Sequence, residues 1–143
     1  MDNPRNRSLA TVLVVLALFA AACSTTVSTD PARDAEGYVR VTVEQLAEML
    51  EDKDLVLVNV HIPYEGEIPQ TDLFIPFNEI ADRLDELPGR DGRIVLYCRT
   101  GPMSTTAARV LAALGYTNVY EVSGGMQAWE AAGHELTRGQ RQQ

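Results

Sequence analysis

The sequence predicts a single α/β domain with a largely parallel sheet, on three observations. Short apolar runs alternate with segments of helical period between about Tyr38 and Leu136. Two of those runs, Leu55-Val56-Leu57-Val58-Asn59-Val60 and Ile94-Val95-Leu96-Tyr97, are nearly continuous in apolar side chains. Strands buried on both faces of a parallel sheet read this way. The second run passes through a tight loop at Cys98 into Ser104-Thr105-Thr106-Ala107-Ala108-Arg109, a helix opening, so a strand, a loop and a helix follow one another around a single thiol. The 143 residues leave room for one domain, and 45% hydrophobic content is that of a globular chain.

The elements follow in order. Val39-Arg40-Val41 is a short strand, and Thr42 with Gln45 makes a capping box for a helix over Val43 to Leu50, apolar along Leu46, Met49 and Leu50. Asp52 to Asp54 turn the chain into the Leu55–Val60 strand. His61 to Gln70, with two prolines and two glutamates, is expected as a surface loop. Leu73-Phe74-Ile75 is a third strand, ended by Pro76. Asn78 then caps an expected helix over Glu79 to Leu87 with Ile80, Leu84 and Leu87 on one face, stopped by Pro88-Gly89. After the central strand and the Cys98 loop, a helix runs to Leu114 with Gly115 as its stop. Asn118 to Val122 is the last strand; Gly124-Gly125 open a short helix carrying Trp129, expected in the core, and Thr137 to Gln143 is expected as a frayed, disordered tail.

The first 22 residues stand apart from that domain. Arg5 and Arg7 precede an apolar run from Leu9 to Ala22, too short to span a membrane and suited to the h-region of a signal peptide. Ala20-Ala21-Ala22 then precede Cys23, and the arrangement resembles the lipobox of bacterial lipoproteins, with Ala20 where that motif usually has Leu. The resemblance implies cleavage before Cys23 and lipidation of Cys23, which anchors the domain on the extracytoplasmic face of a bacterial membrane. The alternative is ordinary secretory cleavage that leaves the Cys23 thiol free. Residues 23–37, polar and small, are expected to form a flexible tether.

Charge and cysteine count narrow the function. Loss of residues 1–22 removes one net positive charge and takes the chain from −8 to −9, which argues against nucleic acid and against electrostatic attachment to anionic lipid. Cys23 and Cys98 are the two cysteines of the chain, so lipidation of one leaves the other unpaired in an oxidising compartment, a sign of reactivity. No Cys/His cluster suited to zinc is present, no metal is expected, and no cofactor is implied.

Cys98 is the candidate nucleophile. A strand end, a tight loop and a helix N-terminus surround its sulfur with backbone N–H groups and favour the thiolate, the reactive form. The loop reads Cys98-Arg99-Thr100-Gly101-Pro102-Met103, followed by Ser104. It resembles the active loop of the rhodanese (sulfurtransferase) family, Cys-x-x-Gly-x-x before a small residue and a helix. Gly124-Gly125-Met126-Gln127-Ala128-Trp129 is similar to the Gly-Gly-x-x-x-Trp that ends that fold, and Gly66-Glu67-Ile68-Pro69-Gln70 keeps the frame of its Gly-His-Ile-Pro-Gly. The resemblance implies a five-stranded, mainly parallel sheet flanked by helices over residues 38–136, with the loop at the carboxyl end of a central strand. It also implies that Cys98 takes a sulfane sulfur as a persulfide and passes it to a thiol acceptor.

Departures are as informative. Asn59 and His61 stand where the family usually has Asp and Arg, and Glu65 matches an acidic position. His61, at the strand edge shared with Cys98, is either a pocket-rim group beside Glu65 or a solvated loop histidine, the commoner state for such residues. Pro102 and Met103 stand where many members place a cation, which leaves Arg99 among the acids Glu65, Glu67 and Asp72 and favours a neutral or protein-borne persulfide donor over thiosulfate. Three readings follow: a sulfurtransferase or persulfide carrier with Arg99 to Ser104 as the persulfide-binding loop, a non-catalytic rhodanese-like binding module, and a Cys-loop phosphatase. The last is disfavoured by a loop one residue short and by Ser104 where an arginine is needed.

Overall fold

The computed structural model describes residues 33–139; the expected leader, Cys23 and most of the tether lie outside that range. Five strands, β1 (Val39–Val41), β2 (Val56–Asn59), β3 (Leu73–Phe74), β4 (Ile94–Tyr97) and β5 (Val119–Val122), form one sheet in the order β1-β5-β4-β2-β3. Every neighbouring pair is parallel, with Val58 opposite Leu96 and Leu96 opposite Glu121 across the centre. The α/β fold and the central place of the cysteine strand are therefore as the sequence predicts.

Parallel pairing explains the two apolar runs. Leu57, Val58, Ile94, Val95, Leu96 and Tyr97 are each fully buried, because helices cover both faces of the sheet. On one face α2 (Pro102–Ala113) packs Ala107, Ala108 and Leu111 against Val58, Ile94 and Leu96. On the other, α1 (Val43–Glu51) and α3 (Gly125–Ala131) bring Leu46, Leu50, Met126 and Trp129 against Leu57, Val95 and Tyr97. A fully buried side chain such as Leu46 or Leu57 contributes roughly 1.5–3 kcal/mol. The Thr42 capping box forms as expected, with the Gln45 N–H donating to Thr42 Oγ1 at 3.3 Å and the Thr42 N–H to Gln45 Oε1 at 2.8 Å.

The expected helix over Glu79 to Leu87 does not form. The stretch is a chain of tight turns with Glu79 N–H to Pro76 O, Asp82 N–H to Glu79 O and Leu87 N–H to Leu84 O, and a single 3₁₀ turn at Leu84–Glu86. Ile80 and Leu87 are still buried and Leu84 packs against them, so the apolar positions are right and the conformation is not. Eleven residues lie between Pro76 and Pro88, a stretch too short to meet the cost of helix nucleation by itself, and Asp82 and Asp85 within it favour turns.

Both ends of the domain are more ordered than the sequence suggests. Residues 34–37 make a turn, closed by the Gly37 N–H to Asp34 O, and Glu36 pairs with Arg40 and Arg109. Thr137, expected in the frayed tail, forms an antiparallel bridge with Glu67 through hydrogen bonds of 2.8 and 2.9 Å.

Candidate active site

Cys98 stands one residue beyond β4, at the carboxyl edge of the sheet, where open α/β sheets hold their ligands. The loop from Arg99 leads directly into α2, which starts at Pro102, two residues earlier than the Ser104 start read from sequence. Gly101 is the residue before the helix and has φ +117°, open to glycine and strained for any other side chain. Pro102 at the first helical position has no N–H, so it cannot serve as one of the expected backbone donors.

Two groups converge on the sulfur. The Gly101 N–H lies 3.0 Å from Sγ, and Ser104 Oγ lies 3.4 Å from it. The same Oγ is 2.9 Å from Gly101 O and 2.7 Å from Glu121 Oε1. Cys98 is 1% exposed and Ser104 fully buried, whereas Arg99 and Thr100 are exposed. The sulfur therefore sits beneath a solvent-facing loop, on a floor of hydrogen-bonding groups.

The loop is held from behind by α3. The N–H groups of Met126 and Gln127, at the open start of that helix, donate to Cys98 O and Arg99 O, each at 2.9 Å. So close an approach needs glycine: a Cβ on Gly125, whose φ is +51°, would stand 2.1 Å from Cys98 O. The close backbone contact expected of the glycine pair is made by Gly125, and Trp129 is core, with Nε1–H donating to Glu135 O at 3.1 Å.

The segment after β2 forms the rim. His61 is 7% exposed and not a solvated loop residue; the expectation of solvation fails because the whole segment is tied inward. Asn59, fully buried, donates through Nδ2 to Gly66 O at 3.0 Å and accepts from the His61 N–H at 3.0 Å. Tyr97 accepts the Ile68 N–H at 3.0 Å and shares a 2.7 Å hydrogen bond with Thr71. Burial pushes the Tyr97 hydroxyl above the ordinary tyrosine range, which keeps it neutral for that purpose. A neutral amide thus ties down the segment at the place where the family has a charged residue.

Charge at the rim is internally cancelled. Arg99 forms an ion pair with Glu65, and Glu65 Oε2 is also 3.4 Å from His61 Nε2. The guanidinium hydrogen bond holds the Glu65 carboxyl below the usual carboxylate range. Neither ring nitrogen of His61 has a hydrogen-bond partner among the described residues, and Glu65 lies within ion-pairing distance of its Nε2. A small depression of about 60 Å³ opens beside Arg99, between Glu65 and Met126, Gln127 and Glu130. Asp72 does not ring this entrance; it pairs with Lys53 and accepts the Leu57 N–H at 2.8 Å beside the β2–β3 edge.

Glu121 was not among the residues singled out from sequence. It is 2% exposed on β5 and touches Ser104 behind the loop. The available signal was an acidic residue inside the apolar strand Val119–Val122, since carboxylates are rarely buried without a partner. Among the described residues, no group of three His, Cys, Asp or Glu side chains is placed to hold a metal ion.

A buried thiol with convergent donors, at the carboxyl edge of a parallel sheet and ahead of a helix, defines a cysteine-loop α/β domain. The rhodanese-like domain model matches residues 42–132, and the chain belongs to that family. It is similar to a sulfurtransferase of Allochromatium vinosum, 37% identical over 94 residues that cover 63% of this chain and 86% of that protein. A thiosulfate sulfurtransferase, GlpE, of Pseudoalteromonas translucida is 33% identical over 98 residues, 66% of this chain and 91% of the relative. Among solved structures, a rhodanese-like domain protein from Staphylococcus aureus superposes with a TM-score of 0.60 at 29% identity, covering 71% of this chain and 98% of that one.

Proposed function

We propose that this protein is a rhodanese-type sulfurtransferase in which Cys98 carries the sulfur. The observation that supports this most directly is the convergence of the Gly101 N–H and Ser104 Oγ on Sγ, which offers hydrogen bonds to an anionic sulfur inside a dry loop. With a persulfide donor, the Cys98 thiolate attacks the outer sulfur of R–S–SH. The Sγ–S bond forms, the donor S–S bond breaks, and its electron pair leaves with R–S⁻. A second thiolate then attacks the outer sulfur of the Cys98 persulfide, takes it as its own persulfide and returns the Cys98 thiolate. No net oxidation occurs, and no cofactor is required.

The donor class follows from the rim. Arg99 is the cation of the loop and its charge is already taken by Glu65, while Pro102 and Met103 add none. A dianion such as thiosulfate gains little there, so we assign a neutral or protein-borne persulfide as the better donor. The relative from Pseudoalteromonas is named for thiosulfate; the Arg99–Glu65 pair at the entrance of this chain is the reason we assign it a different donor. We further propose that the domain works at the extracytoplasmic face of a bacterial membrane, held by lipid on Cys23, on the strength of the Arg5/Arg7 n-region, the apolar run and the small residues before Cys23.

Intact mass tests both parts. The soluble domain, residues 24–143, should gain one sulfur, about 32 Da, with a persulfide donor; dithiothreitol should reverse the gain, and Cys98→Ser should abolish it. Absence of the gain in folded protein with a free thiol would favour a binding module. The full chain, isolated from membranes of a bacterial host, should carry acyl mass that Cys23→Ser removes; a mature chain with an unmodified Cys23 would refute the anchor.

A further inference from the structure

The loop floor contains one more ionisable group than the sulfur transfer described above uses. Ser104 Oγ is surrounded by three acceptors, Glu121 Oε1 at 2.7 Å, Gly101 O at 2.9 Å and Cys98 Sγ at 3.4 Å, and has one proton to give. If Glu121 is ionised, the charged oxygen at the shortest distance takes that proton and the sulfur receives none. If Glu121 is protonated, its O–H donates to Ser104 Oγ, and the Ser104 hydroxyl is released toward the sulfur.

We propose that Glu121 is a positioning residue that shares a single proton with Cys98 through Ser104, so that charge on the sulfur is accompanied by a neutral carboxyl beneath it. The physical reason is proximity in a dry place. Glu121 is 2% exposed, Ser104 is fully buried and Cys98 is 1% exposed, so two negative charges separated by one hydroxyl would repel with little screening. The loop closes over the carboxyl, since a Cβ on Gly101 would stand 3.7 Å from Glu121 Oε1. Such a pair titrates as a unit, with the second ionisation displaced upward by the first.

The groups that face Glu121 agree with this. From β4 its register partner is the apolar Leu96; from α2 it meets Ser104, and beyond that hydroxyl lies Cys98. From β1 its partner is Arg40, whose guanidinium is half exposed and already bound to Asp34 and Glu36. Burial raises the Glu121 carboxyl, against smaller opposing effects of the Ser104 hydrogen bond and the Arg40 charge. The rim charges Glu65 and Arg99 lie beside the loop and are paired with each other, with the His61 ring 3.4 Å from the same Glu65 oxygen.

This inference rests on Cys98 as the reactive thiol, but its test needs no sulfur donor, so it and the sulfurtransferase reading fail separately. The rate of Cys98 alkylation by iodoacetamide is followed against pH. Glu121→Gln keeps a donor to Ser104 Oγ and removes the competing charge; its profile should move to lower pH by about one unit, an alkylation rate about ten-fold higher on the rising limb. In a Ser104→Ala background the same Glu121→Gln change should shift the profile by half as much or less. An unchanged profile in Glu121→Gln, or equal shifts with and without the Ser104 hydroxyl, overturns the proposal.

A second measurement does not depend on the folding of the Glu121 variant. Isotope-edited infrared spectroscopy follows the protonated carboxyl band of Glu121 against pH in the unsubstituted protein and in Cys98→Ser. The band should persist to higher pH when the ionisable sulfur is present. Coincident titrations would show that the carboxyl does not sense the sulfur, and the proposal would fall.

Discussion

Cys98 has a floor and a rim, and both contain a glutamate, yet the two carboxyls are placed in opposite physical situations. Glu121 in the floor is 2% exposed, bonded to the Ser104 hydroxyl and raised by burial. Glu65 at the rim has a side chain 38% exposed, is paired with Arg99 and is lowered by it. On the proposed function, the floor acts on the sulfur that reacts, through short contacts in a buried space where small displacements matter. The rim acts on what approaches, through charges that solvent and salt weaken. On the two proposals above, a carboxyl tunes reactivity in one place and selects partners in the other.

The floor is broken most severely through its backbone support. Gly125→Ala puts a methyl group 2.1 Å from Cys98 O at a φ of +51°, and either α3 or the loop must move. The expected result is a loss of about 3 kcal/mol or more in urea unfolding, with loss of sulfur loading in whatever folds; wild-type stability and loading would show that the Met126 and Gln127 hydrogen bonds do not hold the loop. The floor's own chemistry comes next in size, with the roughly ten-fold alkylation change in Glu121→Gln already described.

The rim sharpens the contrast at the smallest scale. Glu65→Gln releases Arg99 from its carboxylate and leaves the floor untouched. An exposed pair of this kind is worth up to about 1 kcal/mol, so thiosulfate turnover, as kcat/KM, should rise by about five-fold or less while persulfide use changes little. The gain should fade as salt is raised. A fall in thiosulfate turnover would mean that Glu65 orients the donor and does not repel it.

Much of this was legible from local pattern. The cysteine loop, the paired glycines before Trp129, the capping box at Thr42 and the apolar strands are short-range signals, each with its cause within a few residues. The segment over Glu79 to Leu87 shows the limit: its apolar spacing was readable, but turns between two prolines bury Ile80 and Leu87 as well as a helix would. His61 shows another, since nothing in its neighbours says that Asn59 and Gly66 draw the segment inward. Glu121 was visible as a letter in a strand and not as a neighbour of Cys98.

The sequence by itself determined the alternation of strands and helices, the thiol at the carboxyl end of β4, and the loss of cations from the loop, because these depend on the order and type of adjacent residues. The tertiary structure alone decided which polar groups meet. Glu65 and Arg99 are 34 positions apart and Ser104 and Glu121 are 17 apart, and the parallel crossovers bring each pair together. Pairing over such distances depends on strand order and helix packing, which local propensity and periodicity do not encode.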